Sequence, residues 1–422
     1  MSEDRPPNGA SESAQSMDPQ WPAGPPRRIL HVDCDMFFVQ VARLEDPQGV
    51  GKAPLVLVGG SPTGRGVVTS ASYEVRAYGV RSGMPTSEAL RLCPGALVVG
   101  VPRGAVSRKS REIRAVLERL SPVVQAASID EFYLDLTGTE RLLHGEPLVG
   151  TARRIRQDVL AETAISVSVG GGTNRLIAKI AVRKAKPGGV HVVPPGEEGA
   201  FLAGHALADL PGVGPSMVDE LRGRGLVTVE DALRVDVEWL ARWLGDGRGQ
   251  WLHDRIRGLD RTPVRRHEQR KSVSNERTFG RDLESDQEVE RQLVRLGGSV
   301  ARTLRSNGLR ARTVTVKIRD SDFKTRQASH TLPDAVESDA AVLSVARGLL
   351  GELRRKRRDG VRLLGVALSG LVDADRPFQL GLFDEMANRE TERDRTLSRV
   401  LDDLRDRFGD DAVLPARILP RD

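Results

Sequence analysis

The chain has 422 residues, which is enough for two to four domains with a substantial core. Hydrophobic residues make up 39% and charged residues 29%, as in ordinary globular proteins, and no apolar run approaches the roughly 18 residues that a membrane span needs. The net charge of +6 reflects an excess of arginine, which favours a polyanionic partner such as nucleic acid, although an arginine-rich proteome would leave the same excess.

The two cysteines and the composition of residues 1–26 indicate the cellular compartment. Cys34 and Cys93 alone can form neither a disulfide framework nor a zinc site, so we expect a cytoplasmic protein with no membrane partner. Residues 1–26 are rich in Pro, Ser and Gly and lack the apolar segment of a signal peptide. We expect them to form a disordered tail.

Short strands and helices alternate from residue 27 to about residue 192. The patterns predict strands at RILHV, APLVLVGG and ISVSVGGG, helices at VQVARLEDP, RKSREIRAVLERLSP and GTARRIRQDVLAETA, and two short strands around a tight connection in VVQAASIDEFYLDL. The long repeats of a Rossmann domain are missing. We therefore predict an α+β sheet with helices on one face.

The pattern changes after HVVPPGEEG, where short helices follow over residues 193–264. Beyond the basic stretch RTPVRRHEQRKSVSNERTF, a helix, a strand, a second helix and a second strand predict a smaller α+β domain over residues 265–371. Residues 372–422 read as a tail that ends in a charged helix.

Four carboxylates stand beside predicted buried strands. Asp33 and Asp35 lie two residues apart, so on a strand both would face one side, and Asp130-Glu131 interrupts a predicted hairpin where Asn-Gly would be usual. Carboxylates at the ends of adjacent strands suit Mg²⁺, and two such ions about 3.5–4 Å apart can activate an attacking oxygen and stabilise a leaving one. The spacing alone leaves open that Asp33 and Asp130 are ordinary strand-end or turn residues.

Four motifs in this order, HVDCDMFF, SASYEVRAYGVRSGMP, ASIDEFYLD and AKPGG, resemble the Y-family (translesion) DNA polymerases of the DNA polymerase IV (DinB) type. The resemblance runs from about residue 28 to residue 371. It implies a right-hand polymerase of the α+β class, with palm and fingers over residues 27–192 (fingers about 41–95), a helical thumb over 193–264 and a little finger over 265–371.

The resemblance also assigns the metal site. Asp33 and Asp130 would be side-chain metal ligands, Glu131 the third catalytic carboxylate and Cys34 a ligand through its backbone carbonyl. The family uses two Mg²⁺ ions per active site, with Mn²⁺ as an alternative. Asp35 belongs to the motif but is not normally a ligand, which leaves open whether it is catalytic or structural.

The nucleotide contacts follow from the same motifs. Phe38 falls at the steric-gate position that excludes a 2′-hydroxyl, and Phe37 beside it would be a core residue or a backbone contact. Tyr73 and Arg76, one helical turn apart, would grip the β- and γ-phosphates.

Two lysines accompany these residues. Lys186 in AKPGG matches the third triphosphate contact of the family, as a point charge suited to phosphate. Lys179 could instead meet DNA. Without the motif, either would read as an exposed surface cation.

Two segments predict contacts with duplex DNA. LPGVGPSMVDEL resembles a helix-hairpin-helix, in which Gly212 and Gly214 free backbone N–H groups for phosphate. In ARTVTVKIRD one strand face offers Thr315, Lys317 and Arg319 to the backbone of DNA. The basic run RRKRRDG is better explained as a solvated helix end.

QLGLF resembles the short peptide by which bacterial polymerases bind the sliding clamp. Its contact residues would be Gln379, Leu380, Leu382 and Phe383. Its place just after the predicted little finger fits, although about forty residues follow it, whereas the family's motif often ends the chain.

The sequence thus predicts a template-directed, low-fidelity translesion DNA polymerase without proofreading, acting as a monomer on primer-template DNA and dNTPs. One alternative is a non-catalytic, Y-family-like adaptor that binds DNA and clamp, but degenerate relatives lose the acids that are present here. A second is a palm-type nucleotidyl cyclase, which would have no use for a helix-hairpin-helix, a basic C-terminal domain or a clamp peptide.

Overall fold

The computed structural model describes residues 26–266, 269–375, 390–409 and 412–413. The chain divides into two compact units, the first comprising residues 1–60 and 67–267 and the second residues 61–66 and 268–422. Helices and strands are mixed in both, which confirms the predicted α+β class. Within the described ranges, no helix is long and apolar enough to cross a membrane.

The first unit contains eight of the strands that the structure describes. They are β1 (Ile29–Cys34), β2 (Val56–Gly59), β3 (Val68–Ala71), β4 (Leu97–Val99), β5 (Val123–Ala126), β6 (Glu131–Asp135), β7 (Val167–Gly172) and β8 (Val190–Val192). Its helices are α1 (Phe37–Glu45), α2 (Tyr73–Arg76), α3 (Thr86–Leu92), α4 (Arg103–Leu120), α5 (Leu148–Thr163), α6 (Arg175–Ala185), α7 (Glu198–Ala203), α8 (Pro215–Arg222), α9 (Val229–Leu233), α10 (Val237–Leu244) and α11 (Asp246–Ile256), with short 3₁₀ helices at Val50–Lys52 and Leu207–Asp209.

The central sheet of this unit has the strand order β5-β6-β1-β7-β8, in which β1 is antiparallel to both of its neighbours. Every residue of β1 is buried, because helices cover both faces of the sheet. Helices α4 and α5 pack with Leu30 and Val32 in one core. The prediction that helices occupy one face only is wrong, because α6 covers the opposite face. A Cβ at Gly170 would come 2.1 Å from the carbonyl oxygen of Ala178, so only glycine lets α6 approach this closely.

Two smaller assemblies complete the first unit. A three-stranded sheet of order β3-β2-β4 packs with α2 and α3 around Leu57, Val75 and Ala89. Helices α7 to α11 enclose a core that includes Leu202, Leu240 and the partly buried tryptophans Trp239, Trp243 and Trp251. These short amphipathic helices are stable because they share that core.

The second unit is an antiparallel sheet with helices on one face. Its elements are β9 (Ser272–Leu283), α12 (Asp286–Ser306), β10 (Leu309–Asp320), β11 (Thr325–Val336), α13 (Asp339–Lys356), β12 (Val361–Asp373) and α14 (Glu392–Phe408). The strand order is β11-β10-β12-β9. Val314, Val316 and Ile318 of β10 are fully buried under α12 and α13, as the alternation in the sequence predicts.

Helix α14 is held to this unit mainly by charged groups. The buried Arg305 of α12 donates to Asp402 of α14 at 2.7 and 2.9 Å and to Asp339 of α13 at 2.9 Å. Glu390, just before α14, accepts hydrogen bonds from the backbone N–H groups of Glu337 and Ser338 at the start of α13. The predicted charged helix is therefore part of the second unit.

Candidate active site

The register of the central sheet brings the predicted catalytic acids together at the edge that runs across the strand ends, where β1 ends and β6 begins. Asp33 near the end of β1 is paired with Glu131 at the start of β6. The N–H of Cys34 donates to the backbone carbonyl of Asp130 at 3.0 Å, and the Asp130 carboxylate accepts from the Ser128 hydroxyl at 2.5 Å. Residues about a hundred positions apart in the chain thus lie on neighbouring strands at the same edge.

A lysine ammonium is bonded to each of two of these acids. Lys186 Nζ lies 2.6 Å from Asp33 Oδ1, and Lys179 Nζ lies 2.6 Å from Glu131 Oε2. Burial raises the pKa of the Asp33 carboxyl, and Lys186 opposes the rise. The buried His31, whose Nε2 lies 3.6 Å from Glu131 Oε2, acts with Lys179 to lower the pKa of Glu131 to about 2.

The donor set of this edge suits a divalent cation. Carboxylate and backbone carbonyl oxygens are the ligands that Mg²⁺ prefers, and ammonium groups already compensate the negative charge of Asp33 and Glu131. Burial raises the pKa of the Cys34 thiol well above its usual range, so the backbone of this residue is its more suitable donor.

A different group of acids lies closer together. Among the residues that the structure describes, the carboxylates of Asp320, Asp322 and Asp359 are the ones whose oxygens lie within 4.8 Å of one another. Arg326 and Arg357 form salt bridges with this acidic cluster of the second unit. It was not predicted from the sequence, and its negative charge is already offset by the two guanidinium groups.

Asp35 has a different environment from that of Asp33. Its side chain is 2% exposed and accepts four hydrogen bonds. The donors are Tyr73 Oη at 2.9 Å, Ser166 Oγ at 2.9 Å, Ser168 Oγ at 2.7 Å and the backbone N–H of Gly188 at 2.9 Å. This arrangement favours the structural alternative that the sequence left open.

Helix α1 presents the two phenylalanines to different surroundings. Phe37 is 1% exposed and belongs to the core, whereas Phe38 is only partly buried, and their rings meet edge to face at 5.7 Å. The side chain of Gln40 accepts from the N–H of Ser166 at 2.7 Å and donates to the carbonyl oxygens of Ser166, at 3.0 Å, and Asp35. These bonds tie α1 to the segment that leads into β7.

Tyr73 and Arg76 lie at the two ends of the single-turn helix α2, and the Arg76 guanidinium stands 5.1 Å from the centre of the Tyr73 ring. Burial and the neighbouring Asp35 raise the pKa of the Tyr73 hydroxyl, which therefore stays a hydrogen-bond donor at neutral pH. The two side chains lie together, as the spacing predicted.

The predicted hairpin between helices depends on a tryptophan that the sequence analysis did not single out. Gly212 has φ +97°, and a Cβ at this position would lie 2.6 Å from the ring of Trp251. Gly214 directly precedes α8. Glycine is required at position 212 both for its backbone conformation and for the approach of this ring.

The outer face of the second sheet is lined by hydroxyl and charged side chains. Across β10 and β11, Thr313 meets Thr331 at 2.9 Å and Thr315 meets Ser329 at 3.0 Å. Lys317 bonds Glu276 of β9 at 2.9 Å, and Arg319 bonds Thr325 at 2.9 Å. The predicted Thr315, Lys317 and Arg319 thus share this outer face, whereas Gln379, Leu380, Leu382 and Phe383 lie outside the described residues.

Family models match three parts of the chain. Residues 32–183 match the impB/mucB/samB family, residues 270–382 match the C-terminal domain of that family, and residues 208–260 match the thumb domain of DNA polymerase-iota.

Curated relatives extend the match over most of the chain. DNA polymerase IV of Halorhodospira halophila is 39% identical over 345 residues, which are 82% of this chain and 95% of that protein. DNA polymerase IV of Caulobacter vibrioides is 37% identical over 391 residues, 93% of this chain and 94% of that protein. The chain belongs to the Y-family DNA polymerases of the DNA polymerase IV type. It is a DNA-directed DNA polymerase of translesion synthesis, and its family uses divalent metal ions.

Solved structures agree with this assignment. A Y-family DNA polymerase chimera of Dbh and Dpo4 matches this polymerase with 27% identity and a TM-score of 0.74, over 82% of this chain and 99% of that one. An insertion ternary complex of Dbh DNA polymerase matches with 26% identity and a TM-score of 0.58, over 82% and 99%. The predicted right-hand polymerase fold is therefore confirmed, and DNA and nucleotides are the partners of this polymerase.

Proposed function

We propose that this polymerase adds dNMPs to a primer 3′-hydroxyl at the edge of the central sheet formed by Asp33, Asp130 and Glu131, with low fidelity and without proofreading. The observation that carries the proposal is the pairing of Asp33 with Glu131 across β1 and β6, beside Asp130. Three acids where β1 ends and β6 begins can hold the cations that stabilise negative charge developing on phosphate.

Asp33, Asp130 and the backbone carbonyl of Cys34 would hold two Mg²⁺ ions, or Mn²⁺ in their place, with Glu131 as the third carboxylate. When bound, the two ions stabilise the attacking and leaving oxygens. Lys186 and Lys179, each bonded to one oxygen of Asp33 and Glu131, would release those oxygens to the cations. Their ammonium groups are then free for phosphate.

The incoming nucleotide is gripped on the side of α2. Arg76 and Lys186 would supply two cations for the triphosphate, and Tyr73 would supply a phenolic donor once its single proton turns from Asp35 to a phosphate oxygen. Lys186 is bonded to Asp33, and Arg76 lies beside the Tyr73 ring. Phe38, the more exposed of the two phenylalanines, would lie under the sugar and exclude a 2′-hydroxyl.

Duplex DNA would be bound without regard to sequence. Gly212 and Gly214 would offer backbone N–H groups to phosphates of one stretch of the DNA backbone. Hydroxyl and cationic groups on the outer face, from Thr315, Lys317 and Arg319, would bind phosphates of another stretch. The proposed domains are palm and fingers to residue 192, thumb to 264 and little finger to 371, and α14 in the predicted tail belongs to the same compact unit as the little finger.

The segment QLGLF, with Gln379, Leu380, Leu382 and Phe383, would bind the bacterial sliding clamp. We place the polymerase in the cytoplasm at the nucleoid, as a monomer. Clamp binding would supply processivity that a sequence-independent grip lacks.

Primer extension with one templated dNTP and Mg²⁺ tests the catalytic assignment. Asp130→Ala or Glu131→Ala should lower incorporation by at least about a thousandfold while DNA affinity stays within about twofold. The matched control is Glu112→Gln, because Glu112 is also bonded by a lysine, Lys109, but lies on α4. Incorporation retained by either acid variant would overturn the assignment.

The sugar assignment is tested separately with ribonucleotides. Phe38→Ala should raise the efficiency of rNTP incorporation by at least about a hundredfold relative to dNTP, because the ring that blocks the 2′-hydroxyl is removed. Unchanged selectivity would show that another side chain is the gate.

A further inference from the structure

Both oxygens of the Asp35 carboxylate are fully used. Oδ1 accepts from Tyr73 Oη and Ser168 Oγ, and Oδ2 accepts from Ser166 Oγ and the N–H of Gly188. An ionised carboxylate offers about four lone-pair sites, so these four donors occupy all of them. Nothing is left with which this buried group could bind a metal ion.

The four donors come from three separate segments of the first unit. Tyr73 begins α2, Ser166 directly precedes β7, Ser168 is its second residue, and Gly188 lies two residues after Lys186. The N–H of Gly188 is also within 2.9 Å of Ser168 Oγ, which accepts from it. The turn after Lys186 is therefore held by both Asp35 and Ser168. One carboxylate therefore joins the two segments that carry the proposed phosphate contacts.

We propose that Asp35 is a positioning residue for the incoming nucleotide, which holds Tyr73 on α2 in place before the nucleotide arrives and fixes the turn that carries Lys186. The inference rests on the proposed triphosphate roles of Tyr73 and Lys186. Charge-assisted hydrogen bonds to a buried carboxylate are strong, and holding binding groups in their productive geometry contributes directly to affinity.

The consequence is a defect confined to nucleotide binding. In Asp35→Asn one acceptor atom becomes a donor and faces two donors of the protein, so either Tyr73 and Ser168 or Ser166 and Gly188 lose their partner. The metal-binding edge at Asp33 and the surfaces proposed for duplex DNA keep their contacts.

The experiment is steady-state incorporation of one dNTP by Asp35→Asn in the full chain. The KM for dNTP should rise about tenfold, with kcat within about threefold, DNA affinity within about twofold and an unchanged Mg²⁺ concentration for half-maximal activity. Asp135→Asn is the control, since Asp135 is a bonded aspartate of the same sheet, paired with Arg27. A rise in the Mg²⁺ requirement, or a fall in kcat with unchanged KM, would overturn the proposal.

A double-mutant cycle separates positioning from a general structural effect. If Asp35 acts through Tyr73, then adding Tyr73→Phe to Asp35→Asn should raise the KM by less than about twofold further. Fully additive effects on the KM would contradict the proposal. Should Asp35→Asn fail to fold, Ser168→Ala decides instead: it removes one donor to Asp35 and one contact of Gly188, and should raise the KM about threefold.

The two proposals fail in different ways. If Tyr73→Phe and Lys186→Ala leave the KM for dNTP unchanged, then the triphosphate roles given to these residues are wrong. If both raise the KM while Asp35→Asn and Ser168→Ala do not, the roles stand and the inference about Asp35 falls.

Discussion

Two groups of acids in this polymerase, one in each unit, are neutralised in different ways. In the second unit, the fully buried Asp320 receives two bonds from Arg326, at 2.9 and 3.0 Å, and Arg357 bonds Asp322 and Asp359. A planar guanidinium that binds both carboxylate oxygens is held in a fixed geometry. Among the residues that the structure describes, these three carboxylates form the close group, yet arginines already neutralise them.

At the edge of the central sheet, single lysines take the place of arginines. Lys186 and Lys179 each make one contact, and their side chains are 28% and 31% exposed. An ammonium on a flexible stem can leave a carboxylate at small cost, whereas a bidentate arginine cannot. The kind of counter-ion, more than the spacing of the acids, therefore distinguishes an exchangeable site from a structural one.

The largest expected difference between the two groups is in activity. Asp33→Asn should reduce dNTP incorporation by at least about a thousandfold, because it removes a carboxylate from the proposed metal site. Asp322→Asn should leave incorporation within about twofold, since Asp322 is bonded to Arg357. Primer extension measures both. A loss of catalysis in Asp322→Asn would mean that the acidic cluster of the second unit takes part in the reaction.

Stability should show the opposite order. Asp320→Ala leaves the guanidinium of Arg326 without its buried partner and should lower the free energy of unfolding by about 3–5 kcal/mol. Asp33→Asn should change it by less than about 1 kcal/mol, because its lysine partner can reach water. Urea unfolding of the full chain compares the two variants, and equal losses would remove the distinction between fixed and exchangeable counter-ions.

Metal affinity tests the exchange directly. Lys179→Met removes the cation that competes for Glu131, so we expect Mn²⁺ to bind about three- to tenfold more tightly, as measured by electron paramagnetic resonance of the free ion. Lys109→Met, which removes the same kind of contact from Glu112, is the control. Weaker Mn²⁺ binding by Lys179→Met would mean that the lysine supports the metal site instead of competing with it.

The smallest effect concerns a lysine–glutamate pair on the outer face of the second sheet. Glu276 neutralises Lys317, and both side chains are well exposed. Glu276→Gln should free Lys317 to bind a phosphate and so raise DNA affinity about threefold. The slope of log affinity against log salt concentration should become steeper by about one, because one more counterion is released. Fluorescence anisotropy over a salt series measures both quantities. Unchanged affinity and slope would show that DNA does not contact this part of the face.

The sequence was informative wherever one short motif carries the signal. Motifs singled out Asp33, Asp130 and Glu131, which the sheet register places together, and the alternation in β10 predicted its buried face. Contacts between distant segments left no such signal. The bond from Gly188 to Asp35 spans 153 positions, and nothing near either residue predicts it.

The errors have physical causes of the same kind. Helices were predicted on one face of the central sheet, but the glycines of β7 make room for α6 on the other. Trp251, His31 and Glu276 were missed because each matters only through what it touches. For a lone residue of these types, burial in a core or exposure on a surface is the usual outcome.

Helix α1 carries both Phe38 and Gln40, and Gln40 bonds the N–H and the carbonyl of Ser166 as a neighbouring strand would. The proposed gate, Phe38, therefore lies on a helix that Gln40, two residues further on, holds against tilting. A 2′-hydroxyl adds little more than one atom, so rejecting it depends on how far the blocking ring can yield. If Phe38 is the gate, sugar selection would depend on how firmly Gln40 holds α1 as well as on the size of the Phe38 ring.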